Sequence, residues 1–265
     1  MAFKTLRSDR ELVIVHSSDL HIEHDYTGST YDGDPAAGLT AVLSTAHQHG
    51  ADVVLLAGDT FDSHRIPADL LDRTGRIIAG AGLPVVLLPG NHDPVVGGSV
   101  YFFPALADCA NLHVIGVTHE ERVLFADLDL EIWGRPHRDY ADMIPLERPR
   151  PRSTAWQIAV AHGHYAPTPD RTTRLRPSWL IGDGELAATG ADYIALGHWN
   201  RPARVGPAAY YSGSPEYAGT VNLVRLCASG KIEVTRADLG LPASRRQSDL
   251  LNRLASAPEL RRGNL

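Results

Sequence analysis

Five short runs of apolar residues, each closing on a small polar cluster, constrain this chain more than any other feature. Residues 12–16 (LVIVH) lead into SSDLH, and residues 52–57 (DVVLLA) lead into GDTFD. Residues 85–88 (VVLL) precede PGNHD, 157–161 (QIAVA) precede HGH, and 193–196 (YIAL) precede GHWN. The runs are too short for long helices. Their β-branched content and lack of apolar–polar alternation predict strands buried on both faces. Such strands require a covering layer on each side of the sheet.

The covering elements are legible between the first runs. Leu39, Val42, Leu43 and Ala46 recur at helical spacing, preceded by Asp34-Pro35 and followed by Gly50. Pro67 opens a second helix carrying Leu70, Leu71, Ile77 and Ile78, which stops at Gly80 and Gly82. The order β-α-β-α-β makes the chain α/β. The second half is richer in strands, with runs at 112–115, 123–125, 128–133, 208–211 and 221–226, and a Ser229-Gly230 turn into 232–234. Two mixed β-sheets flanked by helices are therefore expected. The stretches 145–152 and 167–177 read as surface loops, and residues 244–257 as a short terminal helix. A single domain over 1–265, with its core at about 12–236, is the expected organisation.

Composition narrows the setting. A chain of 265 residues, 43% hydrophobic, can bury a large core. Its net charge of −6 argues against wrapping extended duplex nucleic acid, although bound dications would reverse the sign locally. Two cysteines make no disulfide framework, and no signal-like or membrane-spanning run is present, so a cytoplasmic location without membrane contact is expected.

The polar clusters carry chemistry. Asp19 and His21, two residues apart on an extended segment, point the same way and can bind one ion together. Asp59, after the tight turn at Gly58, is the natural bridging carboxylate, and Asn91 offers a neutral oxygen to a second ion. Hard and borderline ligands of this kind suit metal-activated water in phosphoryl transfer. His162 directly follows its strand and has better geometry for a ligand than His164.

The ordered set D-x-H, G-D-x-x-D, G-N-H-D, H and G-H-x-[HN] is similar to that of the calcineurin-like metallophosphoesterases, from about residue 13 to 217. Within that superfamily, AGDTFDSHRIP, DYIALGHWNRP and YYSGSPEYAG resemble the SbcD-like DNA-repair exonucleases. The resemblance implies a four-layer αββα sandwich and hydrolysis of a phosphate ester by a metal-bridging hydroxide. It implies a first metal at Asp19, His21 and Asp59, and a second at Asp59, Asn91, His162 and His198. His92 would be the general acid, oriented by Asp93. Two divalent ions are expected, Mn²⁺ foremost, with Mg²⁺, Fe or Zn²⁺ as alternatives. Asn200 stands where the family usually has histidine, so the first site is expected to be harder or under-occupied. The family's capping domain and partner-binding tail find no counterpart after residue 217, so no obligate ATPase partner is expected. The expected substrate is a nucleotide or nucleic-acid diester. A small monoester is the rival, and a non-catalytic scaffold on the same fold is the reading from another class.

Other residues carry weaker expectations. His164, Arg171 and Arg174, with neighbouring Arg176, could meet substrate phosphates. Trp199 and Tyr165 could stack on a base or pack beneath the site. Tyr26 and Tyr31 could belong to a lid. Asp62 is expected to hydrogen-bond within its own loop, and His24, His64, His113 and His137 to be solvated or structural.

Overall fold

A computed structural model of the chain describes residues 10–23, 31–172 and 177–241. The expected terminal helix, His24, Tyr26, Arg174 and Arg176 lie outside the described residues. The apolar runs form strands nearly as expected: β1 (Leu12–Ser17), β2 (Val53–Ala57), β3 (Val85–Leu88), β7 (Trp156–His162) and β10 (Tyr193–Gly197). Between them come β4 (Leu112–Val114), β5 (Arg122–Phe125), β6 (Leu130–Gly134) and the short pair β8 (His164–Tyr165) and β9 (Leu180–Ile181). The remaining strands are β11 (Ala203–Arg204), β12 (Ala209–Tyr211), β13 (Thr220–Leu226) and β14 (Ile232–Asp238).

Two six-stranded sheets result, ordered β14-β13-β1-β2-β3-β4 and β11-β12-β10-β7-β6-β5. In the first, β1 to β4 run parallel and β13 returns antiparallel against β1. In the second, β6, β7, β10 and β12 run parallel. Helices α1 (Ala37–Gln48) and α2 (Ala68–Ala81) supply the crossovers of the first sheet. Helix α2 ends where Gly82 turns left-handed at φ 64°, a conformation open to glycine without a Cβ penalty.

Alternation along each strand divides the core. Leu12, Ile14, Val53, Leu55, Val86 and Leu88 face the other sheet and meet Ile132, Trp156, Ile158, Val160 and Tyr193. Each aliphatic side chain buried there contributes roughly 1.5–3 kcal/mol. The opposite faces of the same strands, through Val13, Val15, Val54 and Leu56, pack on Leu39, Val42 and Leu43 of α1 and Leu70, Leu71 and Ile78 of α2. The second sheet's outer face is covered more thinly. There Leu186 of α4 (Asp183–Ala188), Ile181 of β9 and Leu146 of the 145–152 loop pack against Ile194 and Leu196. Short helices α3 (Pro104–Ala107) and α5 (Pro215–Ala218), with 3-10 turns at Val100–Phe102 and Ala126–Leu128, complete the described elements. Because the central strands are parallel within each sheet, their carboxyl ends cluster along one edge of the sandwich.

Candidate metal centre

Asp19, Asp59, Asn91, His162 and His198 leave the ends of β1, β2, β3, β7 and β10 respectively. The first two segments are laced together by backbone hydrogen bonds: Asp19 N to Gly58 O at 3.0 Å, His21 N to Asp59 O at 3.1 Å, and Ile22 N to Thr60 O at 2.9 Å. The tight fit requires glycine. A Cβ on Gly58, whose φ is +91°, would lie 2.0 Å from the His162 ring, and one on Gly90 would lie 2.2 Å from Asp59 Oδ1. Asp19, His21, Asp59 and His198 themselves adopt φ of 54°, 46°, 51° and 102°. That region is sparsely populated by non-glycine residues and recurs at functional sites.

One group of donors forms around Asn91. The His162 Nε2 lies 3.1 Å from Asp59 Oδ2 and 3.0 Å from Asn91 Oδ1, and His198 Nδ1 lies 3.2 Å from the same amide oxygen. His162 Nδ1 donates to Ala57 O at 2.9 Å, so its Nε2 is the nitrogen turned to the carboxylate. Asp59 also joins a second group, with Asp19 and His21; His21 Nε2 stands 3.9 Å from Asp59 Oδ2. In both groups the ligand atoms of the carboxylates and imidazoles lie within 4.8 Å of one another. His198 N donates to Asp19 Oδ2 at 2.9 Å, which ties the two groups together.

The electrostatics call for positive charge. Asp19 and Asp59 are 3% and 2% exposed, and among the described residues neither pairs with lysine or arginine. Burial opposes charge on His162, but Asp59 beside it more than offsets this and pushes the imidazole up to about 9. A proton is thus drawn among lone-pair-bearing oxygens. Burial would raise the Asp59 carboxyl, yet His162 holds it well below the usual range, whereas Asp19 is raised by burial. Burial, then His162, lowers His198 to about 3, which keeps it neutral. The donor set fits divalent cations: two buried carboxylates, an amide oxygen and imidazoles, of which His162 and His21 have their outward nitrogens anchored on Ala57 O and Asp62.

His92 and Asp62 stand next to this cluster. The Asp62 Oδ1 accepts from His21 Nδ1 at 2.9 Å and lies 3.3 Å from His92 Nδ1, which also donates to the Asp62 carbonyl at 3.0 Å. The two imidazoles meet edge to face, 4.7 Å between centroids. The Asp62 hydrogen bond raises His92 to about 9 against the opposing effect of burial.

Two expectations, for Asp93 and Asp62, need correction. Asp93 does not orient His92. Its buried carboxylate accepts from Gly90 N at 2.7 Å, Phe61 N at 3.0 Å and Tyr101 Oη at 2.5 Å, clamping the two motif loops together. Asp62 bridges two motifs rather than serving its own loop. Arg171 pairs with Glu185 at 2.7 Å and donates to Leu180 O at 3.1 Å, which ties its guanidinium to α4 and β9.

The other named residues are also located. Exposed His164 accepts from Trp199 Nε1 at 3.0 Å. Asn200 lines a cavity of about 300 Å³ with Asp19, His21, Asp62 and Glu216. Sequence reasoning gave His137 no partner, yet it is buried behind the centre with Nε2 donating to His162 O at 2.9 Å. It missed Tyr101 altogether, because the spacing of that residue from the motifs carries no signal. Among the described residues no helix is long and apolar enough to cross a membrane.

Comparison with known proteins bears on this arrangement. The family model for calcineurin-like phosphoesterases matches residues 12–202. The chain is similar to the SbcD component of the nuclease SbcCD from Escherichia coli (strain K12), at 25% identity over 303 residues, covering 92% of this chain and 72% of that protein. It is similar to the same component of the Bacillus subtilis (strain 168) nuclease at 24% identity, covering 76% of this chain and 61% of that one. Two solved structures from Thermus thermophilus share the fold at 14% identity. The protein TT1561 has a TM-score of 0.53, covering 87% of this chain and 100% of its own. A 5'-nucleotidase precursor has a TM-score of 0.51, covering 93% of this chain and 59% of its own.

Proposed function

The chain belongs to the calcineurin-like phosphoesterase family and is a metallophosphoesterase, and from that premise we propose that it is a phosphodiesterase acting on nucleotide or short nucleic-acid substrates. The observation that carries this reading is the double membership of Asp59, which belongs to both donor groups. A shared carboxylate suits two ions held close enough to clamp the attacking and leaving oxygens of one phosphate. Asp19, His21 and Asp59 would hold one ion, with Asn200 at the rim of its cavity. Asp59, Asn91, His162 and His198 would hold the other. Oxygen-rich ligation favours Mn²⁺ or Mg²⁺ over Zn²⁺ at the first position.

When bound, the ions supply Lewis acidity and a nucleophilic water at neutral pH. The protein's own part is proton management and orientation. With Nδ1 donating to Asp62, His92 keeps its second proton on Nε2, where it can pass to the departing alkoxide. Asp62 holds that tautomer and also steadies His21. Asp93 keeps the loops of Asp59 and His92 in register, and the backbone N of His198 fixes the Asp19 carboxylate. The nuclease relatives support a diester substrate.

The deciding experiment compares bis-p-nitrophenyl phosphate with p-nitrophenyl phosphate in the presence of Mn²⁺. The diester is expected to be the better substrate by kcat/KM. A strong preference for the monoester would overturn the diesterase reading, and absence of both metal binding and hydrolysis would return the protein to a scaffold.

A further inference from the structure

A second cavity, of about 590 Å³, opens on the outer side of the second sheet between α4 and the strand β12. Alkyl groups of Leu186, Ala187, Ala191, Ile194 and Pro207 line it, and the ring of Tyr165 forms part of its wall. Among the described residues no lysine or arginine lines it, and the one carboxylate that does, Asp183, accepts from Tyr165 Oη at 2.7 Å. Such a pocket repels a phosphate and suits a flat, largely apolar group bearing N–H donors.

A series of aromatic rings leads from the cavity wall toward the metal centre. Tyr165 follows His162 by three residues, and Trp199 follows His198 by one. Their rings lie 6.4 Å apart, and Trp199 lies 5.4 Å from His164, which is 6.4 Å from His198. Trp199 is backed by Tyr211, stacked at 4.3 Å with an interplanar angle of 9°. That packing limits its freedom to swing away.

We propose that this cavity is the subsite for a nucleobase of the substrate, entered along the His164–Trp199–Tyr165 ridge while a phosphate of the same molecule sits at the metal centre. The inference rests on the nucleotide reading above and adds where the base goes. Tyr165 supplies a face for stacking. Asp183 supplies an acceptor for ring or exocyclic N–H groups, which favours guanine or adenine over uracil.

Isothermal titration calorimetry of the purified full chain with guanosine, adenosine and uridine tests this, because nucleosides carry no phosphate and need no turnover. Guanosine or adenosine is expected to bind wild type more tightly than uridine. Both Tyr165→Ala and Ala187→Trp, the latter filling the pocket from an exposed helix position, are expected to weaken binding by about tenfold or more. Circular dichroism would verify that each variant is folded. Absence of nucleoside binding to wild type, or affinity unchanged to within about threefold in a folded Ala187→Trp variant, would overturn the subsite. Failure of the diesterase reading has a different signature, namely no diester hydrolysis whatever the nucleoside affinity.

Discussion

Asp62 sits between two imidazoles and has leverage over both. Its hydrogen bond raises His92 to about 9, so the ring stays protonated through neutral pH and is ready to act as an acid. An acid must hold its proton, so kcat/KM is expected to fall as pH rises through the His92 pKa. Dications nearby would lower that pKa, which makes about 9 the upper bound for the alkaline limb. Asp62→Asn removes the charged partner and should move the limb to lower pH; a pH–rate profile with an unmoved limb would remove Asp62 from this role. His92→Gln should slow diester hydrolysis by about 10²–10⁴ while leaving metal content, measured by plasma emission, intact. Asp59→Asn should abolish turnover and lower metal content as well. Full activity in either variant contradicts the assignment.

At the level of elements, strand ends fix the site more strictly than strand interiors do. Gly58→Ala would drive a Cβ into the His162 ring from a left-handed backbone, with an expected loss of roughly 2–4 kcal/mol in urea unfolding. Gly50→Ala, also at positive φ but with open space around it, should cost about 1 kcal/mol. Equal effects would mean that crowding at the centre has little energetic weight. The same contrast explains what the sequence disclosed. Uninterrupted apolar runs announced β1, β2, β3, β7 and β10, and the polar residue just beyond each run announced a donor. Neither Asp62 nor Tyr101 was legible in its actual contacts, because their partners come from loops whose approach depends on how β2 and β3 pair. The two-residue strands β8 and β9 are too short to leave a periodic signal, although they carry Tyr165 and the backbone that Arg171 meets.

For the whole molecule, the buried centre couples folding to protons and ions. His162 is raised from an ordinary value of 6.5 to about 9 on folding. Its interaction with Asp59 therefore contributes fully below about pH 6.5 and is lost as pH rises through about 9. Metal-free protein should show a falling melting temperature across that window by scanning calorimetry. Added Mn²⁺ should raise the melting temperature and flatten its pH dependence, since the cation replaces the proton. A melting temperature that ignores both pH and Mn²⁺ would detach the cluster from metal binding.

The left-handed backbone at Asp19, His21, Asp59 and His198 has a consequence for how such a chain can change over generations. Each position sits where a non-glycine residue is strained by about 1–2 kcal/mol, and two of them also keep a carboxylate from water. Asparagine tolerates that backbone and brings no charge. Metal-free Asp19→Asn is therefore expected to melt above metal-free wild type while binding less metal. Stability alone would favour drift toward an inert sequence, so persistence of these four residues would require selection for the reaction itself.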